Sequence, residues 1–199
     1  GTEIILGDKS HTFIFEAGGI SAFGGIHSRQ LKNQVDGTMK IEDILTAIRM
    51  DNVHFPKTSA ITLENTHNLC NGSPLLPGYI QEVAQIAHNN NMKLHIDGAR
   101  IFNAAVAQEI DVKDLVEDAD SVTFCLSKGL ASPVGSIICG SEEFIYHARR
   151  NRKALGGGMR QAGIIAAAGI ISLEKMINQI KEDHQNTKLL AEGISKING

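Results

Sequence analysis

The sequence predicts a three-layer α/β/α domain built on a mostly parallel central sheet. Three observations predict it. Short runs rich in Ile, Val and Leu alternate along the 199 residues with longer stretches whose apolar residues recur at helical spacing. Two of the short runs end in a charged residue followed at once by glycine: Asp97-Gly98 and, after Ser127, Lys128-Gly129. Composition is that of a globular chain, with 42% hydrophobic and 21% charged residues, enough for one sizeable core.

Residues 2–6 form a first strand and 7–10 its turn. Residues 11–22 mix apolar and small residues, which suits a helix packed on the sheet. Phe13, Ile14 and Phe15 leave an extended alternative there, and glycines 18, 19, 24 and 25 weaken either reading. Residues 26–31 are a short edge strand. Asp36-Gly37 turns the chain into a helix over 40–49, with Ile41, Ile44, Leu45 and Ile48 on one face. A strand over 59–64 leads to a polar loop, 65–76, punctuated by Asn71-Gly72 and Pro74. Residues 79–90 place Ile80, Val83, Ala84, Ile86 and Ala87 at helical spacing. Next come a strand over 94–96, short helices over 101–107 and 112–116, and a strand over 121–126. Its neighbour is 135–139, followed by a charged helix over 142–153. Three glycines, 156–158, precede two helices, 160–176 and 180–193. Strand–helix alternation implies a mostly parallel sheet covered on both faces, although the close pair around Lys128 leaves room for one antiparallel member.

A formal charge of -3 gives no reason to expect nucleic acid or an anionic membrane as partner. No apolar run reaches the roughly 18 residues of a spanning helix. The most hydrophobic stretch, 162–173, is shorter, and no secretory signal is visible at the start. Cys70, Cys125 and Cys139 are far apart and form no C-x-x-C pair, which favours a reducing compartment, hence a cytoplasmic location. The chain opens directly into a strand without an initiator methionine and stops just after a long helix. The expectation is an excised piece of a longer protein.

Ligands of open α/β sheets bind outside the carboxyl ends of the strands. Asp97 and Lys128 both stand there, one suited to something cationic and the other to something carbonyl-like. Pyridoxal phosphate meets both needs, since its ring nitrogen wants a carboxylate and its aldehyde wants an amine. The glycine after Asp97 lets the backbone approach a ligand closely. Against this, Asp97 can be a helix N-cap or a salt-bridge partner of Arg100. Arg100 can clamp a carboxylate or pair with Asp97 or Asp111. Lys128 sits among small and apolar residues, where desolvation makes an amine a better nucleophile, but a plain surface-turn lysine also fits S-K-G. His11, after the first turn, can stack on a planar group or carry a proton. His54 and His67 stand in or beside loops, and His95 shares a strand face with Asp97. No H-E-x-x-H or C-x-x-C pattern is present, so no metal is expected. Gly156-Gly157-Gly158-Met159-Arg160 precedes a helix and suits either a phosphate or a hinge; it lacks the G-K-[ST] ending of a P-loop.

Five segments carry a resemblance: L-E-N-T-H-N (63–68), H-I-D-G-A-R-I-F-N-A (95–104), F-C-L-S-K-G-L (124–130), P-V-G-S (133–136) and L-G-G-G-M-R-Q-A-G (155–163). In this order and spacing the chain resembles the low-specificity L-threonine aldolases, of the pyridoxal-phosphate aspartate-aminotransferase superfamily, fold type I. The resemblance covers essentially the whole chain and implies the large, cofactor-binding domain of that fold. It implies that Lys128 carries the cofactor, Asp97 pairs with the pyridine nitrogen, and Arg100 holds cofactor and substrate carboxylate. It places His11 on the ring, with one residue of slippage because the family's D-S-H reads D-K-S-H here. It places His54 near the substrate hydroxyl and Arg160 near the phosphate, in its own or a neighbouring subunit. The implied reaction cleaves L-threonine or L-allo-threonine to glycine and acetaldehyde in a homodimer or homotetramer with shared active sites. The family's S-G-T-x-x-N phosphate segment and its small C-terminal domain fall outside residues 1–199, so this stretch alone is expected to be inactive. Two alternatives stand beside this: another pyridoxal-phosphate-dependent β-eliminating lyase or aminotransferase, and a catalytically silent scaffold of the same fold.

Overall fold

The computed structural model describes residues 1–197. Among them the strands are β1 (Thr2–Gly7), β2 (His27–Leu31), β3 (Lys57–Glu64), β4 (Lys93–Asp97), β5 (Ser121–Cys125) and β6 (Ser136–Gly140). Between β1 and β3 run α1 (His11–Ile14), α2 (Gly19–Ala22) and α3 (Ile41–Ala47). α4 (Pro77–Asn89) precedes β4, and α5 (Ile101–Gln108) and α6 (Val112–Val116) precede β5. After β6 come α7 (Glu142–Ala154), α8 (Gly163–Ile171) and α9 (Ile177–Ile194). The strands form one sheet in the order β2-β1-β3-β4-β5-β6, parallel except for β6, which pairs antiparallel with β5.

Alternation along the strands separates two faces. Ile5, Ile61, Leu63, Leu94 and Ile96 are buried in the main core with Ile44 of α3, Ile80 and Val83 of α4, and Ile101 of α5. Burying each such side chain contributes about 1.5–3 kcal/mol. α4 suits its place because Pro77 opens it, where a missing N–H costs nothing, and its apolar residues recur on one side. The other face of the central strands is polar. In register, Thr62 lies beside His95, Glu64 beside Asp97, and Asp97 beside Thr123. This row of Glu64, Asp97 and Thr123 runs along the carboxyl rim of the sheet.

Four sequence expectations need correction. Residues 11–22 are not one helix packed on the sheet. The chain passes through left-handed backbone at Ala17 and Gly18 (φ 50° and 69°), which ends α1. α1 and α2 bury no residue, and Phe13, Ile14 and Phe15 are exposed. In α3 Leu45 is exposed while Ile44 and Ala47 are buried. The two helices expected after the glycine run are one continuous 32-residue rod, Gly163–Ile194, with a π-helical stretch at Ser172–Met176 joining α8 to α9. No glycine or proline stands between 170 and 192 to divide them. That rod is long and apolar enough by length and composition to cross a membrane, so the expectation of no such stretch fails. In the fold it instead packs on α5, with Ile180 fully buried in a cluster with Leu126 and Leu130.

Candidate active site

Asp97 is the last residue of β4, and its carboxylate belongs to the polar row. Burial raises its proton affinity first, and the neighbouring Glu64 charge raises it further. The Ala99 amide, Lys128 and His11 act in the opposite direction. Among the described residues no ion pair involves Asp97 or Lys128, so their charges influence each other without direct contact.

Lys128 is half-buried in the turn after β5. Three backbone bonds fix that turn: Leu126 N–H to Gly135 O (2.9 Å), Ser132 N–H to Leu126 O (2.9 Å) and Ala131 N–H to Lys128 O (2.9 Å). Gly129 lies against α5, where a side chain would meet Asn103 Oδ1 at 2.4 Å. The segments that leave β4 and β5 stay bonded to one another. Gly98 N–H donates to Thr123 O at 2.8 Å, and Cys125 N–H donates to Ala99 O at 3.4 Å. Gly98 is closely surrounded by the protein itself. A Cβ there would lie 2.8 Å from Thr123 O and 2.9 Å from Ile101 Cβ.

Arg100 forms neither of the pairs weighed from sequence. Its Nη1 donates to Asn68 Oδ1 at 3.3 Å, while Asp111 caps α6 through Lys113 N–H. Asp97 is not the cap of α5 either, since Arg100 holds that position. His11 opens α1 at the same rim. Its N–H donates to Glu64 Oε2 at 2.7 Å, and its ring Nε2 lies 2.8 Å from Glu16 Oε1. His95 bonds Ser121 Oγ through Nδ1 (2.8 Å) rather than Asp97, and burial holds its imidazole toward the neutral form.

One expected residue is not brought to this rim. His54 is exposed, three residues before the amino end of β3. The eight residues of that strand span about 25 Å, so His54 cannot share a site with Lys128 of its own chain. Arg160 is exposed between α7 and α8 and makes no hydrogen bond or ion pair among the described residues. Conversely, sequence reasoning passed over Glu64, Asn68 and Thr123. The signal for Glu64 was available, because T-L-E ends its strand as H-I-D does.

The segment after β3 is unusually buried for a loop. Asn65, Thr66 and His67 are nearly inaccessible. Asn65 Nδ2, both ring nitrogens of His67, and Ser132 Oγ in the Lys128 turn are buried without a hydrogen-bond partner. Such groups are rare and concentrate where a ligand or water completes the site. A groove of about 610 Å³ between β6 and α7 reaches Thr123 but includes none of the other residues above.

The chain was compared with known proteins once this geometry was in hand. The chain matches the beta-eliminating lyase family over residues 1–199. It is 48% identical over 201 residues to low-specificity L-threonine aldolase 1 of Arabidopsis thaliana, covering 100% of this chain and 56% of that protein. It is 43% identical over 192 residues to the low specificity L-threonine aldolase of Escherichia coli K12, covering 96% of this chain and 57% of that protein. The chain thus spans a little over half the length of these relatives. Its fold matches the threonine aldolase of Leishmania major with a TM-score of 0.82 at 18% identity, over 97% of this chain and 57% of that one. The family match over the whole chain, with the fold in keeping, makes this chain a member of the beta-eliminating lyase family.

Proposed function

We propose that the full-length protein is a pyridoxal-phosphate-dependent lyase that cleaves L-threonine and L-allo-threonine to glycine and acetaldehyde. One observation carries the proposal: a carboxylate and an amine, both half-buried, stand at the ends of adjacent strands and are not paired with one another. A simple salt bridge would close that gap. A pyridine ring with an aldehyde needs those two groups at separate points, and the unpartnered polar atoms around them fit a polar ligand. Bound there, the cofactor supplies an electron sink for negative charge at the substrate's α carbon.

The residues then take distinct tasks. Lys128 would hold the aldehyde end, and partial burial keeps its amine out of bulk water. Asp97 would accept the ring N–H and keep that nitrogen protonated. A carboxylate already reluctant to ionise is relieved by an adjacent cation, so burial of Asp97 selects for a positively charged ring. Arg100, steered by Asn68, would bind the substrate carboxylate and so decide which bond faces the ring system. His11 would cover one ring face. His54 is exposed and off the rim, so any part it plays near the β-hydroxyl is in the site of a second copy, and the exposed Arg160 would serve the phosphate there or in its own chain. That division favours a homodimer or homotetramer with shared sites. Three unpaired cysteines are in keeping with a cytoplasmic setting.

Borohydride reduction of the full-length protein loaded with pyridoxal phosphate, followed by peptide mapping, tests the assignment. Label on Lys128 is expected; label on another lysine, or none, overturns it. Release of acetaldehyde from threonine separates an aldolase from an aminotransferase or an ammonia-releasing lyase.

A further inference from the structure

We propose that Glu64 is a positioning residue for this site, tying His11, Arg100 and Asp97 into one unit; the functional part of this rests on the cofactor reading above. Glu64 ends β3 and is 5% exposed. Its two carboxylate oxygens point at two different segments. Oε2 accepts the His11 N–H at 2.7 Å, and Oε1 accepts the Asn68 N–H at 2.9 Å. These are short, charge-assisted bonds, roughly twice as strong as neutral ones.

Each bond replaces something the local sequence fails to provide. Ser10 stands at the N-cap of α1, but its side chain makes no capping bond. The carboxylate from β3 takes over that task, fastening α1 to the sheet although α1 buries no side chain. At the other oxygen, the loop after β3 folds back on its own strand end. This presents Asn68 so that its side-chain oxygen accepts from Arg100 Nη1 at 3.3 Å. His67 supports the same fold-back from below. Its backbone carbonyl accepts from Cys70 and Gly72, and its Nδ1 lies 3.9 Å from Glu64 Oε1.

Glu64 also stands beside Asp97 in register, and its charge opposes ionisation of that carboxylate. Lys128 and His11 are the basic groups that act on Asp97 from the β5 turn and α1, and the Ala99 amide acts on it from its own strand end. One carboxylate therefore sets the place of the ring-covering histidine and the substrate-binding arginine, and tunes the acid between them. A purely structural strand-end glutamate would do the first of these and have no effect on the cofactor.

The test uses the full-length protein with Glu64→Gln, Glu64→Asp and Asn68→Ala. In cofactor-free protein, Glu64→Gln should speed amide hydrogen exchange at His11 or Asn68 by about tenfold or more, since its amide group can accept from only one of them. Exchange at Ile61 in the middle of β3 should stay unchanged. Affinity for pyridoxal phosphate, read by fluorescence titration, should fall by about tenfold, and the pH midpoint of the bound cofactor's absorption should move. Glu64→Asp should restore the pH midpoint more than the exchange rates. Asn68→Ala should raise KM several-fold through Arg100 while leaving exchange at His11 and the pH midpoint as they were.

Wild-type exchange at both amides together with wild-type cofactor affinity in Glu64→Gln overturns the proposal. So does faster exchange spread evenly through β1, β3 and β4, which marks general loosening. Failure of Lys128 to be captured by borohydride removes the cofactor reading, and the exchange arm then decides alone whether Glu64 positions His11 and Asn68.

Discussion

Replacing Gly98 by alanine adds one methyl group at a crowded point of the rim, where the neighbours are backbone and buried side-chain roots. The new Cβ would stand 2.8 Å from Thr123 O, 2.9 Å from Ile101 Cβ and 3.2 Å from Val122 Cγ2. Two of these atoms are backbone or the root of a buried side chain, so neither can swing away, and β4 and β5 must part by roughly half an ångström. Overpacking of this kind costs about 1–3 kcal/mol. Strain on the 2.8 Å Gly98–Thr123 hydrogen bond adds up to about 1 kcal/mol. The stiffer unfolded chain returns about 0.4–1 kcal/mol, because Gly98 is not among the left-handed glycines. The net expectation is about 1–3 kcal/mol of lost stability, measured by urea denaturation of the cofactor-free full-length protein. The same shift moves Asp97 relative to Lys128, so affinity for pyridoxal phosphate should fall by about tenfold. A loss below about 0.5 kcal/mol with unchanged affinity would refute the close-approach account of Gly98.

Removing the amine with Lys128→Ala should abolish borohydride-trapped cofactor; mixing that variant with His54→Ala should restore part of the activity if sites are shared, and no recovery counts against sharing. Asp97→Asn should weaken cofactor binding yet stabilise the cofactor-free protein at neutral pH. Folding raises this carboxyl's proton affinity, so the ionised form opposes folding above the ordinary value of 3.8, and the gain should vanish as pH falls below it. A loss of stability in urea at pH 7 would contradict that sign. Glu3→Gln disrupts a fully buried carboxylate held by Arg49 Nε at 3.0 Å, with Arg29 and His27 nearby. Since Arg49 is partly exposed, about 2–4 kcal/mol should be lost in thermal or urea unfolding, and a change under about 1 kcal/mol would rule the network unimportant. Burial lowers the proton affinity of His67 and His95, so the stability that comes from keeping them neutral is present above about pH 6.5 and lost as pH falls. Urea midpoints that do not drop between pH 7.5 and 5.5 would refute this.

Much of the scaffold was legible because period and burial agree in the central strands and in α4, where every apolar residue at helical spacing has the core on one side. The rim carboxylate and amine were legible for a related reason: a charged residue closing an apolar strand has few places to go except the sheet edge. Residues 11–22 were not, because local apolarity does not tell a core helix from an exposed one, and α1 is held by a carboxylate 53 residues away. The split of the last rod into two helices followed weak local cues, where continuity is instead set by contact with α5. The place of Glu64 at the rim was legible from T-L-E closing its strand, but its partners were not, because they are backbone amides that leave no trace in the residue types around it. His54 shows the limit of motif transfer, since the length of β3 separates it from the rim that carries Lys128.

The reversal of β6 has a consequence for how this family can vary. A helical crossover between parallel strands tolerates insertions, because the chain leaves at one end of the sheet and returns at the other. Residues 126–135 leave and re-enter at the same end, so any added length there is felt directly by the amine they carry. Tolerance of longer loops should therefore be generous between β2 and β3 and close to nil between Lys128 and Ser136, a contrast that insertion scanning of the full-length protein would reveal as a sharp gap in the map of active variants.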